Sequence, residues 1–115
     1  MCPCHSNKAY TECCKPYHDG KAAPTPLVLM RSRYSAYALK KIDYIIETGV
    51  MTRGTRKDIE NFAITTSFDG LTIVEAEANF VTFTAHLTSH GQDVSYTEKS
   101  HFEKVNDRWR YTGSV

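Results

Sequence analysis

Every cysteine of this chain lies within its first fourteen residues: Cys2, Cys4, Cys13 and Cys14, arranged as Cys-x-Cys, eight intervening residues, then Cys-Cys. Disulfide bonding suits this arrangement poorly, because adjacent cysteines and Cys-x-Cys pairs close strained rings and the bridge tolerates little distortion. Metal binding has no such difficulty. Four thiolates at about 2.3 Å close a tetrahedron around one Zn²⁺, and a shell filled by protein leaves no position for a reactive water. The expected cofactor is therefore one structural zinc ion, with redox chemistry and incidental thiols as the lesser alternatives. Pro3 restricts the chain between the first two thiols. Ser6-Asn7-Lys8 must fold back sharply, and Asn7 tolerates left-handed backbone. Amide groups in such a turn can offset thiolate charge from outside the ligand shell. His5 is the rival ligand for one cysteine position.

The elements that must carry this knuckle are those of an ordinary globular chain. Its 115 residues suffice for one modest domain beside a metal site. Hydrophobic content is 41%, charged content 23% and net charge +1, which implies no global attraction to nucleic acid or anionic membrane. The halves differ: residues 1–57 hold ten Lys/Arg against four Asp/Glu, and residues 58–115 hold four against nine. No apolar run approaches the roughly 20 residues of a membrane span, and no signal-peptide core follows Met1. Cysteines committed to metal without a secretion signal place the expected location in a reducing cytoplasm.

After Cys14, the Pro-, Gly- and Ala-containing stretch to Pro24 reads as a linker or extended loop, with Tyr17 and His18 packing the knuckle on the body. Thr25-Pro26 opens a helix. Its apolar face is read as Leu27, Met30, Tyr34, Tyr37 and Ala38, with Arg31, Ser35 and Lys40 off that face and Lys40-Lys41 in the last turn. A second helix is expected over 42–48, with Ile42, Ile45 and Ile46 inward and Gly49 as its stop. Thr55 to Asp58 reads as the opening of a third, burying Ile59, Phe62 and Ala63. Beyond Asp69-Gly70, read as a turn, the period becomes 2. Strands are expected at 71–78, around Val81 to Leu87, from about 93 to 105 and at 108–113, with loops at Ser89 to Gln92 and Asn106-Asp107. Helices followed by meandering strands make an α+β chain with an antiparallel sheet.

Two stretches carry a resemblance. Cys2-Pro3-Cys4-His5-Ser6-Asn7-Lys8, then Tyr10 and Cys13-Cys14, resembles the SEC-C motif, a zinc module named after the carboxy terminus of the SecA motor. The motif's four ligands map onto Cys2, Cys4, Cys13 and Cys14, and its glycines onto His5 and Asn7. Pro16 to Gly20 and Met30 to Tyr37 resemble the signature of the YchJ-like family, with Asp43-Tyr44, Glu98 to Phe102 and Trp109 fitting its layout. Residues 50–68 depart most, and the four cysteines account for one knuckle where some members carry two. The resemblance implies a zinc-binding motif over 1–20 and a nuclear-transport-factor-2-like domain over 21–115. That domain is a cone of helices packed on a curved antiparallel sheet.

Function is less determined. The sequence has no nucleophile elbow, phosphate loop or His-Glu-x-x-His, and no catalytic residue is assigned. Three classes follow. An adaptor would present Lys8, Tyr10 and Lys15 to a protein partner, and this class is favoured. A small-ligand binder or enzyme would use the cone's pocket, lined by Arg31, Arg33, Tyr34, Tyr37, Glu98, His101 and Trp109. Nucleic-acid binding would use the basic amino-terminal end.

Overall fold

The computed structural model describes residues 1–49 and 56–115. A 3₁₀ turn at Tyr10–Glu12 is followed by four helices: α1 (Lys15–His18), α2 (Pro26–Ala38), α3 (Ile42–Glu47) and α4 (Arg56–Thr65). Five strands complete the chain: β1 (Thr66–Glu77), β2 (Phe80–Ser89), β3 (Gln92–Asp93), β4 (Tyr96–Val105) and β5 (Arg108–Ser114). The sheet is antiparallel in the order β1-β2-β4-β5, with β3 paired to β2. This is the α+β architecture expected, with the helices ahead of the strands. Thr55, the expected cap of the third helix, falls outside the described residues.

Helix α2 starts as its sequence demands. Thr25 Oγ1 accepts from the Val28 amide at 3.2 Å, and Pro26 occupies the first turn. It stops before Lys40-Lys41, not through them. Lys40 adopts φ 60°, and the Lys40 and Lys41 amides bond to Tyr37 O and Ala36 O, closing a Schellman cap with lysine in the usual glycine slot. Its buried residues include Leu29, Met30, Ser32, Tyr34, Ser35 and Ala36. The single apolar face read from spacing is thus incomplete. The helix is enclosed on two sides, by the sheet and by α1 with α3, and small polar side chains fill the tight second contact. Helix α1 lies where a linker was expected. Pro16 in its first turn begins the helix and does not break it. In α3 only Ile45 is buried; in α4 Ala63 is buried, while Phe62 is exposed.

Asp69-Gly70 is not a turn. Strand β1 begins at Thr66 and runs through it, with register shifts between Phe68 and Gly70 and between Ile73 and Glu75. Each inserts one extra residue, and such bulges bend and twist a strand. A third shift in the β4–β5 pairing, at His101/Phe102, falls beside Gly113 (φ 124°). These irregularities give the sheet its curvature. The tight turns at His90-Gly91 and Asn106-Asp107 all have positive φ, matching the right-handed twist of the strands they join. The expected long strand is interrupted at Val94-Ser95. There Ser95 Oγ takes the place of backbone in accepting from Leu87 N at 2.9 Å, while the register on either side is unchanged. The core joins Val81, Phe83, Ala85, Leu87 and Phe102 of the sheet to Leu29, Met30 and Tyr34 of α2, and onward to Cys2, Cys4 and Cys14.

Candidate metal centre and cone cavity

The knuckle gathers Cys2, Cys4, Cys13 and Cys14 so that their sulfurs all lie within 4.8 Å of one another. None forms a disulfide. Cys4 and Cys13 Sγ are 3.6 Å apart and Cys13 and Cys14 Sγ 3.9 Å, close to the roughly 3.8 Å edge of a tetrahedron with 2.3 Å metal–sulfur bonds. The donor set is all thiol, and three of the four residues are buried. It fits a metal ion. Cys4's thiol is drawn down to about 4, first by its hydrogen bond with Cys14, while that bond and burial push Cys14 up. Ser6 Oγ lies 3.1 Å from Cys13 Sγ.

The loop holds this shape through left-handed backbone at His5 (φ 62°) and Asn7 (φ 68°), the two positions where the SEC-C pattern has glycine. His5 is no ligand in this arrangement. It is exposed, its Nε2 lies 3.3 Å from Phe68 O and its ring meets Tyr34 edge-on at 5.8 Å, so it ties the loop to β1.

Helix α2 receives the knuckle on one side. Arg31 Nη1 donates to Cys4 O at 3.1 Å and lies 3.9 Å from Cys4 Sγ, setting a cation against the thiolates. His18 Nε2 is 2.8 Å from Ser32 O, which can only accept, so the ring proton sits there and Nδ1 accepts from Tyr10 OH at 2.7 Å. Ser32 Oγ meets Tyr44 OH at 2.7 Å. Burial pushes His18 down and Tyr44 up.

On its other side α2 faces the sheet across a cavity of about 110 Å³. Of the residues expected there, Arg33, Tyr34, Tyr37 and Glu98 line it; Tyr96, Ser100 and Tyr111 join them. Arg31, His101 and Trp109 do not. Arg31 turns to the knuckle. His101 alternates with buried Ser100 and Phe102, so it points to the opposite face, where Nδ1 meets Thr112 Oγ1 at 2.6 Å and its ring meets Phe80. Trp109 is half-buried, not enclosed, and its Nε1 donates to Pro24 O at 3.3 Å. Spacing along one strand reveals a face but not how far along it the cavity extends, which is why Tyr96 and Tyr111 escaped notice.

Arg33 Nη1 donates to Ile45 O at 2.8 Å and to Thr48 Oγ1 at 2.7 Å, and its guanidinium lies over the Tyr111 ring at 4.7 Å. Glu98 accepts from Ser100 Oγ and from Tyr111 OH (2.8 Å). Burial pushes the Tyr34 and Tyr111 hydroxyls up, so both stay neutral, and they donate to Gly70 O and Glu98 Oε2. Tyr96 lies at the exposed end of the cavity, 44% exposed. Of the three residues proposed to face a partner, Lys8 is exposed, Lys15 pairs with Asp19 at 2.6 Å, and Tyr10 is half-buried on His18.

A four-cysteine knuckle joined to a cone of helices over a bent antiparallel sheet defines the class: a SEC-C-type metal module on a nuclear-transport-factor-2-like domain. A family model described as "YchJ, middle NTF2-like domain" matches residues 25–114. The chain belongs to this YchJ family. It is 41% identical to a UPF0225 protein of Deinococcus radiodurans, covering 96% of this chain and 85% of that one. It is 37% identical to a UPF0225 protein of Actinobacillus succinogenes, over 100% and 81%. Its structure is similar to the solution structure of a SEC-C motif containing protein from Rhodopseudomonas palustris (TM-score 0.88, 33% identity, 99% of this chain and 96% of that one). A crystal structure of a SEC-C motif containing protein from Psychrobacter arcticus is similar too (TM-score 0.77, 30% identity, 97% and 80%). Among the described residues no helix is long and apolar enough to cross a membrane.

Proposed function

We propose that the metal is zinc, that it is structural, and that the working site is the cone cavity, which binds a small ligand. One observation carries this reading: closely spaced residues of α2 serve both sites. Arg31 reaches Cys4, whereas Arg33, Tyr34 and Tyr37 line the cavity. Cys2, Cys4, Cys13 and Cys14 would hold the ion, which supplies a cross-link and no reactive position, since four thiols complete a tetrahedral shell. Arg33 then supplies donors and Glu98 an acceptor to a ligand, in the concave, mostly apolar setting that small-molecule sites favour.

Two measurements test it. Native mass spectrometry of protein purified without chelator should show one zinc per chain; a metal-free protein with four titratable thiols would refute the metal. A fragment screen by NMR should shift Tyr96, Tyr111 and Glu98 together. Should no fragment do so, the cavity is packing space and not a site.

The exposed knuckle turn around Lys8 favours a second reading, the adaptor. A protein retained by wild type and lost by Lys8→Glu/Lys15→Glu, with zinc content unchanged, would support it. Loss of salt-sensitive retention on nucleic acid alone would point instead to the basic end.

A further inference from the structure

The cavity holds two opposite charges that do not touch. Arg33 and Glu98 both line it, yet the ion pairs found within 4.0 Å among the described residues are Lys15–Asp19 and Arg56–Asp43. Tyr111 stands at both groups, its ring under the guanidinium and its hydroxyl on the carboxylate. The hydrogen bonds of Arg33 use only Nη1, and those of Glu98 only Oε2. Arg33 Nε and Nη2 and Glu98 Oε1 thus have no hydrogen-bond partner among the described residues. Among the described residues no sealed side-chain nitrogen or oxygen lacks a partner either, so these three atoms meet open space.

That space has a definite form. Inside, Met30, Phe68, Phe83 and Leu87 make the walls apolar over about 110 Å³. Outside, Arg33, Tyr37, Glu98 and Tyr111 also line a wider recess of about 270 Å³. The charges therefore stand at the neck between an apolar chamber and its mouth. A cavity of about 150 Å³ walled by Leu, Ile and Phe takes benzene; this smaller chamber suits a branched aliphatic group. A simple carboxylic acid at the neck would satisfy Arg33 but crowd its charge against Glu98, and a simple amine would do the reverse. A molecule carrying both charges leaves the site neutral, which matters where water is displaced.

We propose that the cavity binds a free aliphatic α-amino acid, with its carboxylate on Arg33, its ammonium on Glu98 and its side chain in the apolar chamber. The proposal rests on the cavity being the working site and names its ligand class.

Calorimetric titration of the zinc-loaded chain tests it, with L-leucine and L-valine beside isovalerate, which is valine without its ammonium, and isoamylamine, which is leucine without its carboxylate. Leucine or valine should bind one to one. Each truncated analogue should bind at least about tenfold more weakly, the scale of one lost charge-assisted hydrogen bond. Glu98→Gln should weaken leucine binding by a similar factor while leaving isovalerate no worse. Arg33 also holds α3, so Ala85→Leu, which fills the chamber from buried β2, serves as the second variant; it should fold and lose leucine binding. Equal binding of valine and isovalerate, or leucine binding unchanged in Ala85→Leu, overturns the proposal. If leucine and valine fail while other fragments still shift Tyr96 and Tyr111, the ligand class is wrong and the cavity reading stands. If every fragment fails, both fall.

Discussion

His18 shows how a single side chain connects the knuckle to the body. Neutral, it donates to Ser32 O and accepts from Tyr10 OH, and burial holds its pKa below the ordinary value. The unfolded chain binds this proton more readily, so stability is full above the unfolded pKa of about 6.5 and is lost as pH falls from there toward the lowered folded value. Protonation of thiolate ligands acts in the same direction, so the test is a difference. The fall in Tm between pH 7.5 and 5.5 should be smaller in zinc-loaded His18→Gln than in wild type; equal falls would refute the role. Arg31 makes the complementary case. It touches Cys4 without being a ligand, and Arg31→Ala should weaken zinc binding about 10–100-fold in a chelator competition, as loss of outer-shell partners does. Unchanged affinity would leave Arg31 with a packing role only. The four thiols were legible from sequence because their chemistry requires no neighbours to interpret. The place of His18 between knuckle and body was legible too, but its hydrogen bonds and the turn of Arg31 toward Cys4 were not, because they depend on contacts with residues 14 and 27 positions away.

At the scale of elements, the sequence pattern located α2, α3, α4 and most strands but missed α1 and misjudged what encloses α2. Helix α2 looked one-faced because Ser32 and Ser35 are polar by type, yet both are fully buried against α1 and α3, satisfied by Tyr44, His18 and backbone carbonyls. Strand β1 was expected to start only after a turn at Asp69-Gly70 because a bulge uses the same residue types as a turn, and only pairing with β2 distinguishes them. Trp109, expected to line the cavity, lies outside it: Leu29 is 1% exposed, whereas Trp109 is half-buried beside Pro24 with Lys104 over its ring. Leu29→Ala should therefore cost about 3 kcal/mol and Trp109→Ala about 1–2 kcal/mol. Urea denaturation measures both, and a larger loss for Trp109→Ala would show that β5 depends on the ring more than its burial indicates.

Across the whole molecule the knuckle is not an appendage. Cys2, Cys4 and Cys14 belong to the same buried cluster as Met30, Tyr34 and Phe83, so the thiol cluster and the cavity wall share one core through α2. Zinc binding to small cysteine sites is worth about 10 kcal/mol or more near neutral pH, and in such sites it appears as folding free energy. Removal of a metal held there would leave buried thiols repelling or seeking protons and would loosen the loop that Arg31 and His5 fasten to α2 and β1. The sheet keeps its own ladder, with β2 paired on both sides by β1 and β4. Loss of order should therefore spread inward from the knuckle and stop at the sheet. Amide exchange followed by mass spectrometry, with and without chelator, should show protection lost over residues 1–19 and in the first turns of α2. Protection in β2 and β4 should persist, and the cavity residue Tyr34, on the turn after Arg31, should mark the boundary. If β2 and β4 open with the knuckle, the chain is one cooperative unit held by its metal. If α2 keeps full protection, the metal has no influence on the cavity, and the link between the two sites through this helix is wrong.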